Sequence, residues 1–121
     1  MKKTALLLLF FSSSALCHGH APQIVDKYVT DSIFEFEFKV SNGFSKKTCF
    51  DITVNEEIKP QLRTCIPSKG TRKMSVWLES KPDVQTRNLV CSIADTGGSM
   101  KTRMCSDLLT LFPATYFGLE Q

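Results

Sequence analysis

Histidine is nearly absent from this chain, and that absence removes most familiar catalytic chemistry. The only two, His18 and His20, lie before the first candidate core strand. No Ser-His-Asp, Cys-His or metalloprotease arrangement can therefore be assembled within the body of the domain. Carboxylates are present, but Glu35 and Glu37 alternate with phenylalanines along a strand and Glu56 and Glu57 share a loop. Neither pair shows the unequal environments of a glycosidase acid and nucleophile. An enzyme is not expected, and neither is a cofactor.

Closely spaced cysteines are missing too. No two of Cys49, Cys65, Cys91 and Cys105 stand two to four residues apart, which argues against structural zinc and against a thiol-exchange motif. No apolar run reaches the ~20 residues that span a bilayer. The glycine-rich stretch from Asp95 to Ser99 lacks phosphate-loop spacing and reads as a hairpin loop. There is no internal repeat, which excludes a solenoid. Charge of one sign is lacking as well. Of 15 basic and 12 acidic residues, Lys2 and Lys3 belong to an amino-terminal leader. The remainder is 13 against 12, a net charge of +1. Nucleic acid is an unexpected partner for such a chain.

The leader itself is well formed. Lys2 and Lys3 precede an apolar run from Ala5 to Phe11 and then three serines, the order of a secretory signal peptide. Residues 1–17 are read as cleavable, with the cut after Cys17, or alternatively after Gly19. Residues 18–121 then form a single exported domain, secreted or periplasmic, with no transmembrane segment in the mature chain. Retention and acylation of Cys17 is the alternative, a lipid-anchored surface protein, although Leu16 is large for the residue before a lipidated cysteine. Loss of Cys17 leaves four cysteines. In a short exported chain these are expected to form two disulfides, and spacings of 16 and 14 favour Cys49 with Cys65 and Cys91 with Cys105.

The body reads as short strands. Residues 33–40, IFEFEFKV, place Phe34, Phe36, Phe38 and Val40 on one face and charged residues on the other. Asn42-Gly43 marks a turn, residues 49–54 alternate again, residues 55–60 form a linker closed by Pro60, and residues 62–66 make a short strand. In residues 72–79 Met74, Val76 and Leu78 oppose Lys73, Ser75, Trp77 and Glu79. Trp77 sits alone on the polar side, as the lid of a second layer or as a contact residue. Residues 87–94 form a strand with Leu89, Cys91 and Ile93 on one face. Met100 and Met104 are expected to fill core gaps, and Ser106 is expected to cap a short helical turn stopped by Pro113. The fold class expected is all-β: a small antiparallel β-sandwich of immunoglobulin-like architecture with two disulfides.

Binding without catalysis is the expected function, as a secreted or periplasmic accessory module. Lys59, Arg63, Lys69, Arg72 and Lys73 occur from residue 59 to 73 with no acidic residue between them. Together with Trp77 they are the candidate binding residues, suited to an acidic protein partner or an anionic glycan. The apolar tail from Leu108 to Leu119 either closes one end of the sandwich or meets a partner strand. The alternative function is metal binding. A chain beginning His18-Gly19-His20 at a mobile terminus offers a free amine, backbone nitrogens and imidazoles to copper or nickel.

Overall fold

The computed structural model describes residues 18–99 and 101–118. The leader, Met100 and the last three residues fall outside that range, so cleavage, lipidation and the packing of Met100 do too. Among the described residues nine strands form two facing sheets. The smaller sheet has the order β1-β3-β7, from β1 (His18–Ala21), β3 (Ile33–Asn42) and β7 (Thr71–Glu79). The larger runs β2-β9-β8-β4-β5, from β2 (Ile24–Tyr28), β9 (Arg103–Leu111), β8 (Gln85–Asp95), β4 (Thr48–Val54) and β5 (Glu57–Ile58). Strand β6 (Thr64–Ile66) also pairs with β4.

Alternation sets which faces meet. Phe34, Phe36, Phe38 and Val40 of β3 and Val76 and Leu78 of β7 are buried against Phe50, Ile52, Val90, Ala94 and Leu108 of the larger sheet. Burying a side chain of this size contributes roughly 1.5–3 kcal/mol. The outward residues of β3 from Ile33 to Lys39 are exposed, as a half-buried strand requires, and only Ser41, beside Gly19, is half-buried. Strand β8 turns Asn88, Val90, Ser92 and Ala94 inward. Its Leu89, Cys91 and Ile93 face therefore belongs to the outer side of the larger sheet, where the disulfide lies.

Both disulfides join directly opposed residues of neighbouring antiparallel strands, Cys49 with Cys65 across β4 and β6, and Cys91 with Cys105 across β8 and β9. Asn42 ties down, from within, the turn by which the chain passes from β3 to β4 in the other sheet. Its buried amide donates to the carbonyls of Ile66 (2.8 Å) and Lys46 (3.0 Å), while its side-chain oxygen accepts from the Phe44 N–H.

Three local expectations are corrected. The capped helical turn at Ser106 is instead the middle of β9, which pairs with β8 over nine residues and with β2 over five. A ladder on both edges outweighs one weak capping signal. The β2–β9 pair is parallel, so the sandwich is not wholly antiparallel. The linker after Val54 is a two-residue hairpin, with Asn55 and Glu56 both at positive φ (51° and 71°), leading into β5 and a single 3-10 turn, Pro60–Leu62. Ladder pairing of residues 62–66 is accordingly confined to Thr64–Ile66.

Candidate functional site

His18 and His20 are built into a strand that pairs with β3. Period-two spacing puts His18 and His20 on one face of β1, and both are buried at 4% exposure between the sheets, against Phe50 and Phe38. Gly19 between them lies close to Ser41 of β3, where an added Cβ would come within 3.0 Å of the serine Cβ. Each imidazole nitrogen is engaged. Thr102 Oγ1 lies 2.9 Å from His18 Nδ1, Ser92 Oγ lies 2.7 Å from His18 Nε2 and 2.8 Å from His20 Nδ1, and Ser106 Oγ lies 2.8 Å from His20 Nε2.

One anchor orients the whole chain of hydroxyls and rings. Ser106 donates its only hydroxyl proton to the Pro22 carbonyl, so its oxygen accepts from His20 Nε2–H. His20 Nδ1 then accepts from Ser92, and Ser92 accepts from His18 Nε2–H. His18 Nδ1 in turn accepts from Thr102. Both rings are neutral in this relay. Burial holds each well below the ordinary histidine value, at about 4, with His18 adding to the depression of His20 and the Thr102 backbone partly offsetting that of His18.

Ser92 and His20 thus form a hydroxyl–imidazole pair that sequence reading did not foresee. Ser92 is fully buried, however, and no carboxylate orients the ring. The terminal metal set is corrected by the same geometry. The imidazole nitrogens are occupied by hydroxyls, and β1 pairs with β3 throughout. Among the described residues no three His, Cys, Asp or Glu side chains come together as metal ligands.

The basic residues are distributed over several surfaces. Arg63 lies on the outer side of the larger sheet, bound to Asp51 (2.6 Å) and Asp95 (3.1 Å). Lys73 lies on the outer side of the smaller sheet beside Glu37 (3.2 Å), and Lys59 pairs with Glu57 (2.8 Å). Lys69 donates to the Gly43 carbonyl and Arg72 to Thr64 Oγ1. These two have no carboxylate partner among the described ion pairs.

Trp77 is 67% exposed on the outer face of β7, opposite Glu35. Strand β7 is the last strand of its sheet. The Asn42 N–H donates to Gly70 and the Ser80 N–H to Ser32, both in line with the β3–β7 register. Main-chain groups exchanged with β3 therefore belong to Gly70, Arg72, Met74, Val76, Leu78 and Ser80, since antiparallel pairs alternate. Those of Thr71, Lys73, Ser75, Trp77 and Glu79 point away from the sheet. Among the described residues only the Glu79 carbonyl has a partner, the Asn88 amide at 2.9 Å.

Beside this free edge the sandwich is open. Cavities of about 360 Å³ and 330 Å³ lie on either side of Val54 and Trp77. Leu62 and Val76 line the first, and Leu78 and Asn88 the second, with Lys59 at the rim of one and Lys81 and Arg87 at the rim of the other. Val54, Leu62 and Asn88 carry no local mark of this role in the sequence. Their position depends on which strand ends the smaller sheet.

The fold is shared with proteins of known structure. The chaperone DraB of E. coli matches with a TM-score of 0.60 at 11% identity, over 80% of this chain and 55% of that one. The periplasmic chaperone SfaE matches with a TM-score of 0.55 at 12% identity, over 79% of this chain and 57% of that one. The VesB protease of Vibrio cholerae matches with a TM-score of 0.56 at 11% identity, over 78% of this chain and 31% of that one. The chain spans about half the length of the two chaperones. No family model and no curated protein matches the sequence. The chain is an all-β, two-sheet sandwich with two disulfides, of the immunoglobulin-like form found in periplasmic chaperones.

Proposed function

We propose that this protein is a noncatalytic binding module of the exported space, secreted or periplasmic, which takes up an extended segment of a partner protein along the free edge of β7. The carrying observation is the edge itself: outward main-chain groups from Thr71 to Trp77, an exposed tryptophan beside them and an open cleft below that is apolar where Leu62 and Val76 line it. An added strand gains main-chain hydrogen bonds from such an edge and specificity from alternate side chains entering pockets. The cavity lined by Val54, Leu62 and Val76 suits an apolar residue of the partner, and the one lined by Asn55, Lys81, Thr86 and Asn88 suits a polar one. The export leader, the disulfides and the fold held in common with two chaperones agree with this reading.

Lys81 favours an acidic residue beside that apolar position, and Lys69 and Arg72 supply further charge at the start of β7, whereas Lys59 and Arg87 are already paired with Glu57 and Asp107. Arg63, tied to two aspartates, contributes less. The test is a titration of the mature chain with short peptides carrying alternating valine or isoleucine between acidic ends, followed by Trp77 emission. Binding should weaken with salt. It should disappear in Ser75→Pro, because proline on an edge strand removes an outward N–H while leaving the ladder to β3 intact. Peptides that leave Trp77 emission unchanged, or that bind Ser75→Pro equally well, refute the proposal.

A further inference from the structure

The outward edge of β7 is self-complementary, and its sequence selects one register. The inference rests on the reading of this edge as a strand-pairing site and names what fills it first. We infer that two copies of the chain pair β7 to β7 in antiparallel fashion about a two-fold axis at Val76, joining their smaller sheets into one.

Main-chain geometry restricts the options. Only odd-numbered residues of β7 direct N–H and C=O groups outward, so any hydrogen-bonded pair across the interface must join odd to odd. A two-fold axis at Val76 satisfies this and places Ser75 opposite the second copy's Trp77, twice. It also places Lys73 opposite the second copy's Glu79, twice. Opposite charges directly across a pair are favourable, like charges are not. On the inner face the same register matches Val76 with Val76 and Met74 with Leu78, so every inward pair from Met74 to Leu78 is apolar. Shifting the axis to Ser75 keeps the odd-to-odd rule but sets Lys73 opposite Trp77 and Glu79 opposite Thr71. Shifting it to Met74 sets Lys73 against Ser75 and, on the inner face, Arg72 against Val76, and it puts Glu79 opposite Lys69, which lies before β7 in a turn at positive φ. Charge and apolar pattern agree only at Val76.

The same register accounts for Trp77. Its indole, 67% exposed in the single chain, lies across from a serine small enough to leave room. The two tryptophans become diagonal neighbours on the outer face, a spacing aromatic rings can bridge. Lys73 lies 3.2 Å from Glu37 within its own chain, but both side chains are more than half exposed. The lysine is thus free to turn to a second carboxylate. A dimer of this form covers the edge to which a partner segment would bind, so the partner must displace the second copy.

Sedimentation velocity and Trp77 emission on the mature chain, over concentrations up to about 1 mM, test the pairing. Trp77 is the only tryptophan, so a blue shift with concentration reports its burial. Lys73→Glu and Glu79→Lys should each raise the dimer Kd about tenfold or more, because each places two like-charge pairs across the axis. The double variant Lys73→Glu with Glu79→Lys should return to within about threefold of the unaltered chain. A chain that stays monomeric throughout, a dimer insensitive to either single reversal, or a double variant no tighter than the singles overturns the pairing. Peptide binding measured on the same samples separates this from the functional reading. A monomer that binds the alternating peptides retires the dimer alone. A dimer that obeys the charge swap but is displaced by no peptide retires the partner reading alone.

Discussion

Acid should destabilise this protein well above the range in which its carboxylates titrate, because two histidines are folded in as neutral rings. Burial lowers both His18 and His20 from 6.5 to about 4. A histidine depressed on folding binds its proton more readily in the unfolded chain. The stability it contributes is complete above about pH 6.5 and is lost as the pH falls towards 4. For a shift of that size each ring loses roughly 2 kcal/mol by pH 5 and about 3 kcal/mol by pH 4. Between pH 7 and pH 5 the two together lose roughly 3.5 kcal/mol, a large part of the 5–15 kcal/mol that holds a typical domain together. The relay sharpens this loss. A proton on His20 Nδ1 would face the Ser92 hydroxyl proton, and a second cation one hydroxyl away at His18 would repel it. Urea unfolding followed by far-ultraviolet circular dichroism at pH 7, 6 and 5 measures the loss. The double variant His18→Gln with His20→Gln should be less stable at pH 7 but nearly flat over that interval. Titration of the unaltered chain by NMR gives an independent reading of each ring. Imidazole resonances that titrate near 6.5 in the folded protein, or equal stability at pH 7 and pH 5, would refute the burial of β1.

Three further outcomes are expected. Phe36→Ala should cost about 3–5 kcal/mol in urea unfolding, because Phe36 is buried beside Phe38 and the site cannot collapse fully. Glu37→Ala on the opposite face should change stability by less than about 0.5 kcal/mol, and similar losses for the two would contradict the strand register. Asn42→Ala should cost about 1–3 kcal/mol by removing the buried amide that bridges the Ile66 and Lys46 carbonyls, whereas a neutral result would mean that water replaces the amide. Nonreducing peptide mapping of exported protein should find Cys49 joined to Cys65 and Cys91 to Cys105, with nested or crossed peptides excluding the strand pairing described here.

Much of the architecture was legible because period-two burial is a local property. Phe34, Phe36 and Phe38 announce the inner face of β3 whatever packs on it, and Val76 and Leu78 do the same for β7. Four cysteines at spacings near 15 suit bridged neighbouring strands. Partnership between distant segments is not local, and there the reading failed or stopped. Ser106 looks like a helix cap until β2 and β8 are found on either side of it. His18 and His20 look like an accessible terminus until their hydroxyl partners arrive from β8 and β9, 72 to 86 residues away.

The sequence by itself determined the all-β class, the disulfide count and the alternating faces, since side-chain spacing along a strand fixes which residues can share a surface. Only the tertiary structure decided that the histidines are buried, that the basic residues from Lys59 to Lys73 divide among several surfaces, and that β7 ends its sheet. The physical reason is the same in each case. Hydrogen-bond partners, ion partners and free edges depend on strand order, and strand order is set by the cost of closing long loops against the area buried when two sheets meet.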